Sequence, residues 1–136
     1  MIPELAIREL VCRFYGRVRQ DPVLAPVFTA ALGETDVAWA AHLDRLTDFW
    51  SSVMQGSGHY HGDPFSAHLR LRGLRPVMFD RWLDLFQVTC REVMRPEEAE
   101  AFGIRAERIA RSLRMGLFER MPAREALYQA AGSPIG

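Results

Sequence analysis

The sequence has 136 residues, of which 49% are hydrophobic and 25% are charged. This length and composition predict a single globular domain and exclude a disordered or fibrous chain. Seventeen arginines, with no lysine, are balanced by seventeen acidic residues, so the chain lacks the net positive charge typical of nucleic-acid-binding proteins.

Two further features of the sequence concern its location. No apolar run approaches the roughly 18 residues of a membrane helix, and residues 1–5 lack the basic-then-apolar pattern of a signal peptide. The two cysteines, Cys12 and Cys90, lie far apart and form no motif, which is typical of a reducing compartment. We therefore expect a cytoplasmic chain that binds neither a membrane nor nucleic acid.

Apolar residues recur every three or four positions through most of the chain, whereas strand and hairpin signals are nearly absent. This periodicity predicts an all-α protein. The predicted helices cover residues 3–19, 22–33, 36–55, 64–70, 77–94 and 96–121. Residues 1–122 should form the domain, and residues 123–136 a partly loose C-terminal tail.

Two Asp-Pro pairs predict where the second and fourth of these helices begin. Asp21-Pro22 and Asp63-Pro64 each combine an N-cap aspartate with a proline at the first helical position. The fourth helix is short and lies between Gly-rich and Pro-rich loops, which a simple four-helix bundle does not require. We infer that something in the middle of the molecule requires it.

His68 is the first candidate for chemistry, because it lies on that short helix. Its imidazole can donate one N–H to the carbonyl of Pro64, four residues back, which would leave the other nitrogen for a metal. No second His, Cys or carboxylate shares the turn, so a zinc site is poorly supported. A haem iron needs only one such protein donor, because the porphyrin supplies four.

Three polar side chains lie on otherwise apolar helix faces. His42 belongs to the inward stripe of the long helix, and Tyr15 and Trp82 lie on inward faces of two others. Each needs a hydrogen-bond partner when it is buried. Either a neighbouring side chain or water supplies that partner, or the three residues face a ligand pocket. His59 and His61 lie in a polar loop and are expected to be solvated.

Four groups of residues, in this order along the chain, resemble the truncated haemoglobin family. They are Phe14-Tyr15 with Asp21-Pro22 and Phe28; Trp39-Ala40-Ala41-His42 with Phe49-Trp50; Tyr60-His61-Gly62-Asp63-Pro64 with Phe65-Ser66-Ala67-His68; and Phe79-Asp80-Arg81-Trp82. The third group of that family is the best match, since its members have a histidine where His42 stands and a tryptophan where Trp82 stands. They also lack paired glycines between helices, as this sequence does.

The resemblance implies a two-on-two globin sandwich that encloses a haem, with His68 as the proximal ligand of the iron. Tyr15 and Trp82 would then donate hydrogen bonds to a bound diatomic ligand, and His42 would be the distal histidine. The other implied haem contacts are Phe28 on the porphyrin face, Leu46, Phe49 and Trp50 on the distal wall, and Arg45, Arg72 and Arg75 at the propionates.

The expected cofactor is haem b, bound without covalent attachment because the sequence has no Cys-x-x-Cys-His motif. The resemblance implies dioxygen as the ligand, with NO, CO or cyanide as substitutes, and a redox activity such as NO dioxygenation or peroxide reduction. An external reductant or reductase would be needed, since no flavin or nicotinamide motif is present. We expect a monomer or weak dimer.

Two other functions remain open at this stage. One is a gas sensor or oxygen carrier without turnover, because the same pocket would serve it. The other is a haem-free helical interaction module, in which His42, Tyr15 and Trp82 are ordinary core residues. Fold alone does not decide among these functions.

Overall fold

The computed structural model describes residues 2–64, 68 and 71–119. Within them, five α-helices are present and strands are absent, which confirms the all-α prediction. The helices are α1 (Glu4–Val18), α2 (Ala25–Leu32), α3 (Asp36–Gln55), α4 (Pro76–Val93) and α5 (Pro96–Arg114), followed by a π-helical turn, Met115–Glu119. The predicted tail, residues 123–136, lies outside the described residues.

The long helix α3 has the bounds that its sequence predicts. Thr35 is the N-cap, and its hydroxyl accepts a hydrogen bond of 3.2 Å from the backbone N–H of Ala38. Gly56 ends the helix in the left-handed conformation, with φ of 65°, which a residue with a side chain rarely adopts. A local cap at each end therefore explains why this helix could be placed from sequence.

The predicted start of the second helix at Pro22 is wrong. The Asp21 carboxylate accepts hydrogen bonds from the backbone N–H groups of Val23 and Leu24, as an N-cap does. These bonds instead close a turn, and α2 begins at Ala25.

The prediction of one continuous last helix up to Pro122 is also wrong. The α-helix ends at Arg114, and a π-helical turn follows. Phe118 in that turn packs edge-on against Phe79 of α4, with ring centroids 6.2 Å apart. Wider turns of this kind often occur at functional sites, and Phe79 itself stacks against His68.

The helices pack around a shared apolar core. Helix α1 lies against α3 and α4, and α4 packs most extensively on α5. The largest fully buried side chains come from α1, α3, α4 and α5. They include Phe14, Trp50, Phe86, Phe102, Ile7 and Leu10. Polar side chains within this core therefore stand out as candidates for function.

An ion pair between a buried carboxylate and a largely exposed arginine joins the turn after α1 to α4. The Asp21 carboxylate is almost fully buried and accepts hydrogen bonds from Nε and Nη2 of Arg81, at 2.8 and 2.5 Å. Burial raises the pKa of the Asp21 carboxyl, but the bonds from Arg81, Leu24 and Val23 outweigh burial and lower the pKa overall. The pair joins the turn after α1 to the helix that carries Trp82.

Asp21→Ala should lower the free energy of unfolding by about 2–4 kcal/mol, because it removes both a capping acceptor and a hydrogen bond to a charged group. Urea unfolding measures the loss. Asp44→Ala is the matched control, since the Arg8–Asp44 pair is solvent-exposed and such pairs contribute about 0–1 kcal/mol. Equal losses in the two variants would show that the Asp21–Arg81 pair has no special role.

Candidate functional site

His68 has the hydrogen bond that the sequence predicts. Its Nδ1 lies 2.7 Å from the carbonyl oxygen of Pro64, and both residues have helical conformation. Because a carbonyl can only accept, Nδ1 carries the proton and Nε2 carries the lone pair in the neutral ring. The predicted helix partners Phe65 and Leu69 lie outside the described residues. His68 thus presents a single nitrogen, Nε2, that is able to donate a lone pair to a metal.

His42 is the unusual polar group of the site. Its Nε2 is buried and has no hydrogen-bond partner among the residues that the structure describes. Burial, with smaller contributions from the charges of Arg45 and His68, lowers the pKa of His42 to about 4. The alternative of a core histidine bonded to a neighbouring side chain is therefore not supported at this nitrogen.

His42→Leu should raise the free energy of unfolding of the ligand-free chain at pH 7 by about 1–2 kcal/mol, because it removes an unpaired buried polar atom. The imidazole takes up its proton near pH 6.5 when the chain is unfolded but only near pH 4 when it is folded. Between these values the unfolded chain binds more protons, so the wild type loses stability as the pH falls from about 6.5 to 4.

The variant should lack this part of the acid sensitivity, which urea unfolding at pH 7, 6 and 5 measures. His59→Leu is the control, because His59 is exposed in a loop. If the wild type and His42→Leu respond to pH in parallel, the imidazole of His42 does not have the lowered pKa.

Tyr15 and Trp82 lie in the same region of the molecule as His42. Tyr15 is buried, which raises its pKa to about 12, and a hydrogen bond from Trp82 opposes that rise. Its ring lies edge-on to His42, with centroids 5.3 Å apart. Three polar side chains from α1, α3 and α4 thus converge in one buried region. The hydroxyl of Tyr15 stays protonated at neutral pH and remains available as a donor.

Aromatic rings surround this polar group. Phe28 packs against Tyr15 and His42, with centroids 5.7 and 6.2 Å away. Trp39 lies edge-on to His42 at 5.6 Å, and its indole N–H donates to the carbonyl of Gly33 at 3.0 Å. The Arg19 guanidinium lies 4.7 Å from the centre of the Trp39 ring.

Sequence reasoning did not identify Trp39 as a pocket residue. It precedes His42 by three residues on α3 and therefore shares its helix face. That spacing was the only available signal, because the contacts of Trp39 with Arg19 and Gly33 involve other elements.

Leu46, Phe49 and Trp50 follow His42 along α3. Leu46 is half-buried against the core, while Trp50 is fully buried and stacks on Phe86, with centroids 4.8 Å apart. Phe86 in turn stacks on Trp82 at 5.2 Å. The distal-wall role predicted for these three residues remains a prediction, whereas the connection of Trp50 to Trp82 through Phe86 is observed.

The three arginines predicted at the haem propionates are all exposed. The charge of Arg45 acts on both His42 and Tyr60. Arg72 and Arg75 line a cavity of about 350 Å³, together with residues of the α1–α2 turn, α2 and α4. Their roles at the propionates stay predictions.

Other kinds of site find no support in the described part of the chain. No group of three or more His, Cys, Asp or Glu side chains is placed there to hold a metal ion. His59 and His61 are exposed, as expected. No described helix combines the length and apolar character needed to cross a membrane.

Polar side chains on the inner faces of α1, α3 and α4, together with a histidine positioned by a backbone carbonyl, are typical of a globin. The chain belongs to the bacterial-like globin family, whose model matches residues 3–123. It is similar to the group 3 truncated haemoglobin of Campylobacter jejuni, with 34% identity over 109 residues that cover 80% of this chain and 86% of the relative.

The solved structure of a group III truncated haemoglobin from Campylobacter jejuni shows the same fold. The comparison gives a TM-score of 0.83 and 32% identity, and covers 87% of this chain and 93% of the other. The predicted truncated-globin fold and third-group resemblance are thus confirmed. Globins bind haem and small gaseous ligands, so family membership supports both for this chain.

The residues present fit a haem. His68 has one nitrogen free of the Pro64 bond, and one protein donor is sufficient where a porphyrin supplies the other four. The partnerless Nε2 of His42 adds an independent sign, because a buried polar atom without a partner is expected where a ligand is missing. Tyr15 and Trp82 add donors to the same region.

Proposed function

We propose that this chain binds haem b without covalent attachment, with Nε2 of His68 as the axial ligand. The observation that carries this proposal is the 2.7 Å hydrogen bond from Nδ1 of His68 to Pro64, which fixes the tautomer and orients the ring. Neither Cys12 nor Cys90 lies in a motif for covalent haem attachment.

The bound haem would supply an iron with one open position that binds a gas and exchanges electrons. We assign Tyr15 and Trp82 as donors to the gas and His42 as the distal histidine. The low pKa of His42 keeps its imidazole neutral at pH 7, so it adds no positive charge to the pocket. Phe28, Leu46, Phe49 and Trp50 would exclude water from the gas and the porphyrin.

We further assign Arg45, Arg72 and Arg75 to the haem propionates. All three are exposed, so their guanidinium groups are free to reach the edge of a bound porphyrin.

The donor set favours redox chemistry over oxygen transport. Each hydrogen bond to a charged acceptor contributes roughly 1.5–3 kcal/mol, so two donors would slow the release of dioxygen strongly. Slow release suits NO dioxygenation or peroxide reduction, with dioxygen, NO or peroxide as reactants. Electrons must come from an external reductant or reductase, because the sequence has no flavin or nicotinamide motif.

Titration of the purified chain with haemin tests the cofactor proposal. We expect a Soret band that saturates at one haem per chain, whereas a haem-free interaction module would give none. A c-type adduct, identified by mass spectrometry after acid extraction, would contradict haem b.

Mixing the dioxygen-loaded chain with NO in a stopped-flow instrument tests the reaction. Dioxygenation should yield one nitrate per haem together with rapid conversion to the ferric spectrum. Peroxide reduction is tested separately, as peroxide-dependent oxidation of a phenol. If both are absent, the chain is a gas sensor or carrier.

We also propose a cytoplasmic location and a monomeric or weakly dimeric state. The two cysteines are unpaired, with Cys12 exposed, which suits a reducing compartment. Exposed large apolar side chains include Leu5, Val37 and Val77, which lie on three different helices. Sedimentation of the haem-loaded chain measures the oligomeric state.

A further inference from the structure

We propose that Tyr60 is a surface redox site connected to the haem pocket by a chain of aromatic rings, through which one-electron phenolic reductants supply electrons for peroxide reduction. This inference rests on the proposed function, since the oxidant reacts at the haem. It adds a second site, which lies at the surface of the molecule and is distinct from the gas-binding pocket.

The centre of the chain is a stack of three rings in the core. Trp82 and Phe86 of α4 lie almost parallel, with centroids 5.2 Å apart and an interplanar angle of 3°. Phe86 stacks in turn on Trp50 of α3, at 4.8 Å and 18°. Two tryptophans from different helices are therefore joined by one intervening ring.

The outer part of the chain of rings continues from α3, the helix that carries Trp50. Phe49 lies edge-on to Trp50, with centroids 5.4 Å apart, and edge-on to Tyr60 at 5.1 Å. Tyr60 belongs to the loop after α3 and is half-buried. Oxidisable rings thus alternate with single phenylalanines, in the order Trp82, Phe86, Trp50, Phe49, Tyr60.

The inner end of the chain reaches the polar cluster of the site. Phe14 contacts the rings of both Trp82 and Tyr15, with centroids 5.5 and 4.7 Å away. The first oxidisable ring of the chain is therefore also one of the proposed donors to the gas.

Tyr60 is held in place at the outer end. Its backbone N–H donates to the hydroxyl of Ser52 at 3.0 Å. Its phenol folds over Gly62, where a Cβ would overlap the phenol oxygen. Partial burial and the nearby Asp63 raise the pKa of Tyr60, against the opposing effect of Arg45. The phenol is therefore neutral at pH 7 and must release a proton when it is oxidised.

The chemistry of the side chains distinguishes this chain of rings from ordinary core packing. Tryptophan and tyrosine are the aromatic side chains that lose one electron most readily, whereas phenylalanine can only bridge them. Trp39 provides a contrast, because its ring contacts are with Tyr15, Phe28 and His42 rather than with Tyr60. The ring contacts of Trp39 therefore do not lead to Tyr60, whereas those of the chain of rings do.

The proposed reaction balances. Hydrogen peroxide takes up two electrons and two protons and leaves as two water molecules. The bound haem would supply one electron, and Tyr60 supplies the other through Trp50 and Trp82. Tyr60 releases its phenolic proton, and solvent supplies the second proton. One phenol then gives Tyr60 one electron and one proton, and a second phenol gives one electron to the haem and its proton to solvent. The net reaction converts one peroxide and two phenols into two water molecules and two phenoxyl radicals.

Radical mapping on the ferric, haem-loaded chain tests this proposal. Haem loading is first established from the Soret band. Hydrogen peroxide is then added with a nitroso spin trap, and adducts are located by peptide mass spectrometry, while electron paramagnetic resonance with ring-deuterated tyrosine identifies a tyrosyl signal. We expect an adduct at Tyr60 and its loss in Tyr60→Phe.

Two variants interrupt the chain of rings, and a third variant serves as a control. Trp50→Phe and, at a half-buried position, Phe49→Leu should each remove most of the Tyr60 adduct and leave adducts at Trp82. Val53→Ala alters another half-buried apolar position of α3, which belongs neither to the ring chain nor to the pocket, and should retain the Tyr60 adduct. Circular dichroism establishes that each variant is folded.

Several outcomes would overturn the proposal. A Tyr60 adduct that persists in both interrupting variants would show that oxidation bypasses the ring chain. Adducts found only at Tyr15, Trp82 or Tyr128 would show that Tyr60 is not the outlet. A chain without a Soret band would refute the proposed function and this inference together, whereas a haem-loaded chain with radicals elsewhere refutes the inference alone.

Discussion

His68→Ala should abolish the saturable Soret band that haemin gives with the wild-type chain. His68 is the proposed axial ligand, with its Nδ1 fixed by Pro64. Loss of a group that merely orients a metal ligand typically costs 10–100-fold in metal affinity, so loss of the ligand itself should cost at least about 100-fold. Absorption titration with haemin measures the change directly.

The controls for this prediction come from the same chain. His59→Ala and His61→Ala remove imidazoles that are exposed in the neighbouring loop, and both variants should bind haem as the wild type does. Added imidazole should restore an imidazole-ligated spectrum to His68→Ala, because it supplies the missing nitrogen. A His68→Ala chain with an unchanged spectrum would show that another residue ligates the iron.

Local interactions are what the sequence predicted well. The bond from His68 to Pro64 joins residues four apart, so helical geometry alone brings the two groups together. The bounds of α3 follow in the same way from Thr35 and Gly56, which lie at its two ends. Such features depend on neighbouring residues and need no knowledge of the fold.

Contacts between distant residues could not be predicted. Asp21 was correctly expected to cap backbone N–H groups, but its pairing with Arg81, sixty positions later, depends on how the turn after α1 meets α4. Tyr15 and Trp82 were each expected to need a partner, yet only the fold shows that both rings pack against Phe14.

The loop around Tyr60 shows the same limit. Its polar composition correctly predicted exposed histidines, but it concealed a tyrosine that packs on Phe49 of α3. Residue type indicated what each side chain requires, whereas the tertiary structure determined which neighbour provides it.

Tyr15→Phe and Trp82→Phe should each speed the release of dioxygen from the ferrous, haem-loaded chain by about 10- to 100-fold. Dioxygen gains negative charge when it is held, and a hydrogen bond to a charged acceptor contributes roughly 1.5–3 kcal/mol, or one to two decades in affinity. Tyr15→Phe removes only the hydroxyl from a buried ring. Stopped-flow displacement of dioxygen by carbon monoxide measures the rate.

Carbon monoxide provides the matched control, because it stays close to neutral when it is held. Its dissociation rate should therefore change much less than that of dioxygen in both variants. If both gases leave faster by the same factor, the substitutions have altered packing around Phe14 and Phe86, which contact Trp82, rather than removed a donor.

The pH profile separates the hydroxyl of Tyr15 from an ordinary tyrosine. Its pKa of about 12 keeps the hydroxyl protonated at alkaline pH, so the wild-type rate of dioxygen release should stay level from pH 7 to pH 10. An ordinary tyrosine, with a pKa near 10, would have lost half of its protons at the upper limit. Because both donors pack against Phe14 and act on the same gas, the double variant should deviate from additivity. Strict additivity would mean that Tyr15 and Trp82 act on the gas independently.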